Sequence, residues 1–488
     1  MTAVAAAQRT AGKDVLGHPR GLWYLVFCEG FERFSYYGMQ ALLVLYLTQY
    51  LLLPGHVEHV AAFVPFRGFL QMLFGQLATP VATATAITGL YSGGVYLTPI
   101  LGGWIADQWL GRTKTVAAGA LIMVLGHFLM AFDVAFVAAI LCLFLGVGLF
   151  KGNIASQVGE LYKPDDLRRS NGYQVFLLGV QVAVIVAPLI IGTLGQKVAW
   201  HWGFGAAGVG MAVALVIYLA GRKNLPPERP RGAAAKAAQQ KFTGRDWATI
   251  AVLVALLPVL AATAIGNQEI FNAYLLWGND HYNLAVPNLP SWIPGAAAIS
   301  GQTMPVTWLV SLDAFISAFT VGGALAFWTI WSRYAKEPDE IIKIAIGALI
   351  AAAAPLLLAA ASAQEVATGQ KASLIWGLGF HIINDVGFAM IFPVGLALYS
   401  RAAPKQVSGV FIGVYYLHLF ICNFATGRVA GLIEHMDGAS FWTMHAAIIG
   451  VGAVVLLVFA FVFRKLLAPT AADKGETESY AEAVTTQA

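Results

Sequence analysis

The chain has 488 residues, of which 58% are hydrophobic and only 11% are charged, and its mean hydropathy is +0.70. Soluble globular proteins carry about 25% charged residues, so this composition excludes an ordinary soluble protein and predicts an integral membrane protein. The net charge of +4 does not point to a nucleic-acid partner, and the three cysteines lie in apolar runs that suggest neither disulfides nor a metal site.

Apolar runs long enough to cross a bilayer recur along the chain, since a spanning helix needs about 20 such residues. Residues 1–20 lack the apolar core of a cleaved signal peptide and are expected to form a cytoplasmic tail. The segment 53–81 is expected to be either an interfacial helix or an extension of the second span. Twelve spans are predicted, at 21–52, 82–107, 115–134, 136–161, 169–196, 202–221, 247–277, 306–332, 341–362, 373–400, 407–432 and 440–464.

The basic residues orient these spans. When the N-terminus is placed inside, most of the 29 Lys and Arg residues fall in alternate connections, and few fall in the opposite loops. By the positive-inside rule both termini are then cytoplasmic. We expect a multi-pass protein of the plasma membrane, which in a bacterium is the inner membrane.

The longest cytoplasmic connection divides the chain into two halves. It is rich in proline, alanine and basic residues, which is typical of a linker. Two sets of six helices with a long central connection favour an all-α major facilitator fold, with two six-helix bundles around a central cavity. The predicted parts are the tail 1–20, a bundle 21–221, a linker 222–246, a second bundle 247–465 and a disordered cytoplasmic tail 466–488.

A glycine-rich motif ends the second span. Gly103, Asp107, Gly111 and Arg112 follow the spacing Gly-x3-Asp-x3-Gly-Arg. The glycines would allow a tight turn and close packing, and Asp107 would pair with a basic residue or face a helix N-terminus. The position between the second and third spans favours the gating loop of a facilitator over an ordinary capped loop.

The first span contains the charged stretch "CEGFERFSYYGMQ". Each charge at the centre of a spanning helix costs about 2.5–3.5 kcal/mol on insertion scales. Glu29 and Arg33 share a helical face, Glu32 adjoins both, and Lys151 in the fourth span would balance the set. Protonation of Glu29 or Glu32 would release a cation to bind an external anion, which predicts proton–anion coupling. The alternative is a static salt-bridge network between the first and fourth spans.

Enzymatic activity is not expected. The sequence offers no nucleophile–base pair, no metal-ligand cluster and no nucleotide-binding loop, because the phosphate-loop spacing is absent around Lys151. We therefore expect no cofactor, and a proton gradient as the energy source.

The motif "EGFERFSYYGM" resembles the Glu-x-x-Glu-Arg-Phe-x-Tyr-Tyr-Gly signature of the proton-coupled oligopeptide transporters, the PTR2 family. The resemblance continues in "VYLTPILGGWIADQWLGR", "GLFKGNIASQVGELY" and "NGYQVFLLGVQVAVIVAPLIIG". Members of this family take up di- and tripeptides with protons by alternating access. The resemblance assigns proton coupling to Glu29, Glu32, Arg33 and Lys151, substrate-carboxylate recognition to Lys151, and the cavity wall to Tyr36, Tyr37 and Tyr96.

The chain also departs from the family pattern in its pocket. The two extra helices that many bacterial members carry between spans six and seven are missing from the expected layout. The predicted substrate-binding positions that differ are Gln40 for an arginine, Gln181 for an asparagine, Asn267 for a glutamate, Asp313 for an asparagine, Phe388 for a glutamate that pairs with the peptide amino group, and Tyr415 for a tryptophan.

The tenth span offers a compensation for the lost glutamate. His381, Asp385 and Phe388 share one helical face, so Asp385 would bind a ligand ammonium and His381 would tune or relay its proton. The alternative places Asp385 in a helix contact or a water pocket. Asp313 is the other expected anion, because it stands at a predicted pocket position. Glu269 is a poorer substitute, because two residues along a helix turn it about 200° away from Asn267. His127, His418 and His445 are expected to be packing residues.

Three functions follow in order of preference. The first is a proton-coupled symporter that imports di- and tripeptides or peptide-like solutes, working as a monomer in the lipid bilayer. The second is a transporter of another carboxylated or amphoteric metabolite on the same fold. The third is a non-transporting receptor or scaffold, which the two protonatable glutamates in the membrane argue against.

Overall fold

The structure is a computed structural model that describes residues 14–163, 166, 168–228, 242–288, 290, 292, 300–404 and 407–467. The predictions for most of the N-terminal tail, the middle of the linker and the C-terminal tail after residue 467 lie outside these residues. The described chain is helical, with isolated β-bridges only, which confirms the predicted all-α class.

Twelve long helical segments occupy the described chain, and they match the predicted spans in number and order. Nine of these are both long and apolar enough to cross a membrane. The other three are the first, which contains four charged residues, the second, which is rich in glycine and threonine, and the third, which begins with Arg112 and Lys114. We label them α1 (Arg20–Tyr46), α2 (Pro80–Ile105), α3 (Arg112–Leu129), α4 (Phe136–Glu160), α5 (Arg168–Ala187), α6 (Trp200–Gly221), α7 (in two parts, Gly244–Thr263 and Ala273–His281), α8 (Trp308–Trp331), α9 (Glu340–Thr368), α10 (Leu374–Ala402), α11 (Ser408–Val429) and α12 (Gly438–Val462).

The segment 53–81 forms a helix of its own and does not extend the second span. This short helix runs from Phe63 to Phe74 and buries Phe63, Leu70 and Phe74. Gly75, at φ 80°, ends it in a conformation that favours glycine. α2 then starts at Pro80, whose missing N–H would have no helical partner, and the Thr79 hydroxyl accepts the N–H of Ala82.

The predicted span 247–277 is wrong as a single helix, because α7 is broken. α7a covers Gly244–Thr263 and α7b covers Ala273–His281. Two short turns, Ile265–Gln268 and Glu269–Phe271, join them, and Asn272 leaves helical geometry at φ −132° and ψ −109°. The hydropathy of the segment does not reveal this break. Of the polar side chains between α7a and α7b, those of Gln268, Glu269 and Asn272 are buried against neighbouring helices.

The helices pack as two bundles of six. In the first bundle α1 packs on α5 and α6, and α3 and α4 pack on each other. In the second, α9 packs on both α10 and α12. Across the boundary, the two closest pairs are α2 with α11 and α5 with α8. One apolar core fills the first bundle and continues into the second through Tyr274, Trp277 and Trp442, and another lies within the second bundle around Leu253, Tyr399 and Leu456.

Hydrogen bonds join the two bundles at the end of the molecule where α1 ends and α2 begins, which we call the joined end. Gly89 of α2 lies so close to α11 that a Cβ there would be 2.5 Å from the Asn423 carbonyl oxygen and from the Gly427 Cα. The hydrogen bonds across the seam are Thr79 to Glu434, Arg428 to the Gln76 carbonyl at 3.2 Å, Asn272 to the Thr85 carbonyl at 3.3 Å, Thr307 to Gln196 at 2.9 Å and Trp308 to Thr193 at 2.8 Å.

Candidate functional site

The charges of α1 form a buried cluster, as the spacing predicts. Arg33 Nε donates a hydrogen bond to Glu29 Oε1 at 2.7 Å and lies 3.2 Å from Glu32 Oε2. All three side chains are less than 5% exposed. The i, i+4 spacing on one helix brings Glu29 and Arg33 together without any help from the rest of the fold.

The carboxylates of this cluster have more acceptor capacity than the protein fills. Glu29 Oε2 and both oxygens of Glu32 are buried and have no hydrogen-bond donor among the described residues. A buried carboxylate oxygen without a donor is costly, and a proton on the carboxyl group removes the charge that causes the cost. The cluster therefore leaves three buried carboxylate oxygens without a hydrogen-bond donor from the described residues.

Lys151 lies beside an aromatic ring and does not complete a four-charge network directly. Its ammonium stands 4.5 Å from the centroid of the Tyr96 ring, and within the described chain it makes no ion pair. Tyr96 in turn stacks on Tyr416 of α11, with ring centroids 6.4 Å apart. The two acidic and two basic side chains thus lie in one region, with Lys151 against the Tyr96 ring and outside the ion pairs of Arg33.

Aromatic rings surround the Arg33 side of this region. The Arg33 guanidinium lies 5.9 Å from the Tyr36 ring centroid, and Tyr36 contacts both Tyr37 and Tyr91. Tyr37 reaches Phe271 in the break of α7, with centroids 6.1 Å apart. The predicted wall residues Tyr36, Tyr37 and Tyr96 are therefore brought together at the seam between the bundles.

The two glutamines at altered pocket positions differ in their environment. Gln40 is buried, and its side-chain amide donates to the Ser92 hydroxyl of α2 at 2.8 Å, while its own oxygen has no donor among the described residues. Gln181 of α5 is half-buried. Gln40 is thus held by its neighbour in the first bundle.

The second bundle gathers the predicted acidic residues around a histidine. His381 Nδ1 lies 2.8 Å from Asp313 Oδ1, and His381 Nε2 lies 2.9 Å from the Tyr274 hydroxyl of α7b. The carboxyl group of Asp385 lies within hydrogen-bonding reach of that of Asp313. The cluster therefore brings two carboxyl groups and an imidazole together in the interior of the second bundle.

Two predicted pocket residues on α10 and α11 lie in aromatic packing. Phe388 stacks on Phe392, with centroids 5.5 Å apart. Tyr415 is fully buried and its hydroxyl donates to the Phe392 carbonyl at 2.8 Å. The next residue, Tyr416, faces the first bundle through Tyr96. In the structure it is therefore Tyr416, and not the predicted Tyr415, that faces the first bundle. The sequence contains no feature that fixes this position to within one residue.

Asn267 lies in the break of α7 within an amide chain. Its Oδ1 accepts from Gln268 Nε2 at 2.8 Å, and Gln268 Oε1 accepts from Asn423 Nδ2 of α11 at 2.8 Å. Glu269 points elsewhere, to His445 of α12 at 3.1 Å. Sequence reasoning missed this pair because His445 lies more than 170 residues further along the chain and stands alone in an apolar run.

The loop motif after α2 uses its residues differently from the prediction. Gly111 has φ 78° and allows the turn into α3, but no atom lies within 4 Å of a Cβ built at Gly103, and Gly102 makes the close approach to α4 instead. Arg112 pairs with Glu160 of α4 and lies 3.9 Å from Asp107. Glu228, which the motif does not include, accepts the backbone N–H groups of Arg112 and Thr113, each at 2.8 Å.

These features together define a class of protein. Two six-helix bundles meet around buried carboxylates on one side and an acidic–histidine cluster on the other, and the bundles are joined at one end. This is the architecture of a major facilitator, a membrane transporter that opens alternately to either side.

Comparison with known proteins shows which transporters the chain is similar to. The POT family (PTR2) matches residues 113–254. Over 93% of its length the chain is 28% identical to an uncharacterized transporter YclF of Bacillus subtilis, of which it covers 96%, and 26% identical to a di-/tripeptide transporter of Lactococcus lactis subsp. cremoris, of which it covers 98%. A solved POT family transporter in complex with 5-aminolevulinic acid superimposes with a TM-score of 0.76 at 21% identity, covering 93% of this chain and 98% of that one. The chain therefore matches the POT family model over part of its length, and it is similar to transporters of that family over most of its length.

Proposed function

We propose that this protein is a proton-coupled symporter that imports di- and tripeptides or peptide-like solutes by alternating access. The match to the POT family model and the similarity to a relative named as a di-/tripeptide transporter support the substrate class. The observation that carries the proposal is the buried Glu29–Glu32–Arg33 cluster, whose carboxylate oxygens have no other donor. Transport needs no bond in the substrate to be made or broken, and the proton gradient supplies the energy without a cofactor.

The coupling follows from competition for two cations. While Glu29 and Glu32 are ionised, Arg33 is held between them at 2.7 and 3.2 Å. A proton on either carboxyl weakens that hold, so Arg33 and Lys151 become available to the carboxylate of the substrate. Release of the proton on the other side of the membrane restores the internal pairing and expels the anion.

The amino end of the substrate is assigned to the second bundle. Oδ2 of Asp385 is buried and has no donor among the described residues. A substrate ammonium would supply the missing donor. Asp313, held by His381 at 2.8 Å, would position the pair.

The direction of opening depends on the orientation of the chain. With both termini in the cytoplasm, as the basic residues predict, the joined end faces outward and the structure is closed to the outside. The protein is then proposed to act in the plasma membrane, in a bacterium the inner membrane, and as a monomer, because each chain contains both halves of the site.

A second candidate is the transport of another amphoteric or carboxylated metabolite. Phe388 provides no charge where an amino group would be expected, and Gln40 is engaged with Ser92. A POT family transporter has been solved with 5-aminolevulinic acid, which is such a solute. On this alternative the proton machinery is unchanged and only the ligand differs.

Uptake into proteoliposomes distinguishes the candidates. With an acidic exterior, we expect accumulation of a labelled dipeptide that unlabelled di- and tripeptides inhibit and that a protonophore abolishes. Amino acids, 5-aminolevulinic acid and organic anions are offered in the same competition. Failure of all peptides to accumulate or to compete would overturn the peptide assignment, and competition by 5-aminolevulinic acid alone would favour the second candidate.

A further inference from the structure

A second acid–base pair, outside the charged cluster and the acidic–histidine cluster, joins the break of α7 to α12. His445 Nε2 lies 3.1 Å from Glu269 Oε1, and both side chains are fully buried. The other carboxylate oxygen, Glu269 Oε2, accepts the backbone N–H of Ala273 at 3.1 Å. The pair therefore holds the first residue of α7b as well as the histidine.

The hydrogen bonds of this pair fix the number of protons in it. His445 Nδ1 lies 2.9 Å from the Phe441 carbonyl oxygen, which only accepts, so Nδ1 carries a hydrogen. Nε2 then meets a carboxylate oxygen. One more proton must lie between them, either on the imidazole or on the carboxyl group, because otherwise a lone pair would face a buried negative charge.

The break that this pair stabilises is also where α7 contacts the first bundle. Asn272, between Glu269 and Ala273 in this turn, donates to the Thr85 carbonyl of α2 at 3.3 Å. Phe271 contacts Tyr37 of α1. A change in the geometry of residues 269–273 would therefore move groups that hold the joined end together.

We propose that Glu269 and His445 form a proton-binding site that stabilises the joined conformation when it is occupied. Loss of the proton leaves the carboxylate against the imidazole lone pair, which weakens the hold on α7b and on the Asn272 contact, and so favours separation of the bundles at this end. The proposal shares the alternation of access with the proposed function but involves no substrate, so it is testable even if the protein does not transport peptides.

Other titratable groups face this site and are considered with it. Cys422 of α11 lies near the Glu269 carboxyl group. From α10, His381 and Asp385 lie on the far side of Tyr274, which contacts both His381 and Trp442 next to this site. α2 contributes the Thr85 carbonyl, and near Gly266 α9 and α10 contribute Pro355 and Asn384, none of which titrates.

The Glu269→Gln variant separates the effect of the proton from the effect of the hydrogen bonds. The glutamine amide nitrogen would donate to His445 Nε2 and its oxygen would accept from Ala273, so every contact is kept and no proton is exchanged. The variant should behave as a permanently occupied site. His445→Gln is a second variant. Its side-chain amide would donate a hydrogen bond to an ionised Glu269, and without the imidazole the pair no longer shares a proton.

The conformation is measured by the distance between spin labels at Ala61→Cys and Gln370→Cys, exposed positions in different bundles at the joined end. The full chain is placed in lipid nanodiscs without substrate. Cys142 is partly exposed and is replaced by serine so that it is not labelled, whereas Cys28 and Cys422 are buried and are kept. One linked proton changes the ratio of joined to separated molecules by up to about tenfold per pH unit. We expect Glu269→Gln to remain joined at high pH and to lose roughly that tenfold-per-unit slope relative to the parent.

The control is Glu365→Gln, which alters a similar pair, His281 with Glu365 at 2.8 Å, on the partly exposed surface. It should keep the parent slope. Equal slopes in the parent, Glu269→Gln and His445→Gln would overturn the proposal. So would failure of Glu269→Gln to yield monodisperse protein, because the amide satisfies all the contacts that the proposal assigns to the protonated pair.

Discussion

Arg33 is the residue on which the charge balance of the first bundle depends. It contacts two carboxylates from its own helix, at 2.7 and 3.2 Å, and its ring neighbour is Tyr36. Breaking a buried pair by removing one partner costs about 3–5 kcal/mol, because an uncompensated charge remains. A proton changes the same balance without moving any heavy atom, which makes this cluster suited to reversible coupling.

Glu32 is the residue where we expect substitution to separate coupling from binding. Glu32→Gln removes the titrating group, so gradient-driven uptake should be abolished while counterflow exchange continues. Both are measured in proteoliposomes with the same labelled substrate. Glu58→Gln, at an exposed glutamate, is the control and should leave both unchanged. Gradient-driven uptake at the parental rate in Glu32→Gln would refute the coupling role.

Asp385 is the residue where we expect selectivity for the amino end. Asp385→Asn removes the charge that would pair with a substrate ammonium, so the apparent affinity for peptides with a free amino terminus should fall by about tenfold or more, as for loss of one charged hydrogen bond of 1.5–3 kcal/mol. N-acetylated peptides should be affected less. Inhibition constants from competition assays measure both, with Asp280→Asn on the exposed surface as the control. Equal losses for both kinds of peptide would remove Asp385 from the site.

At the scale of elements, the contact of α2 with α11 determines how closely the bundles approach. Gly89 and Gly93 of α2 face the backbone of α11, and the Gly427 Cα would lie 2.5 Å from a Cβ at Gly89. A side chain there cannot be accommodated by a rotamer change, because the opposing atoms belong to the backbone.

We therefore expect Gly89→Val to hold the joined end apart. Overpacking costs about 1–3 kcal/mol, which corresponds to a shift of roughly 5- to 150-fold in the ratio of joined to separated molecules. The spin-label distances described above would lengthen, and uptake would fall. Gly450→Val in α12 is the control, since no atom lies within 4 Å of a Cβ at that position. An unchanged distance distribution in Gly89→Val would show that this contact does not limit closure.

At the scale of the whole molecule, the site is divided between the bundles. In the proposed function, Arg33 and Lys151 of the first bundle would bind an anion, and Asp313 and Asp385 of the second would bind a cation. Neither half can bind both ends of an amphoteric solute, so binding is sensitive to the angle between the bundles. That sensitivity links occupancy of the site to closure, which is what alternating access requires.

Agreement between sequence and structure depends on how far apart the interacting residues are in the chain. The Glu29–Arg33 contact follows from i, i+4 spacing, and His381 and Asp385 share a face for the same reason. The sequence did not distinguish Tyr415, which lies in the core, from Tyr416, which faces Tyr96, because adjacent helical residues point about 100° apart. Glu228, which caps α3 from beyond α6, could not be found from the motif at all.

The sequence by itself determined the number of helices, their order, the resemblance to a transporter family and the charged face of α1, because each of these depends on local periodicity, composition or a contiguous motif. Only the tertiary structure decided that α7 is broken, that Lys151 stands over Tyr96, and that Glu269 meets His445. These features arise between helices that are far apart in sequence, where burial and the need to satisfy every polar group act on whichever side chains the packing brings together.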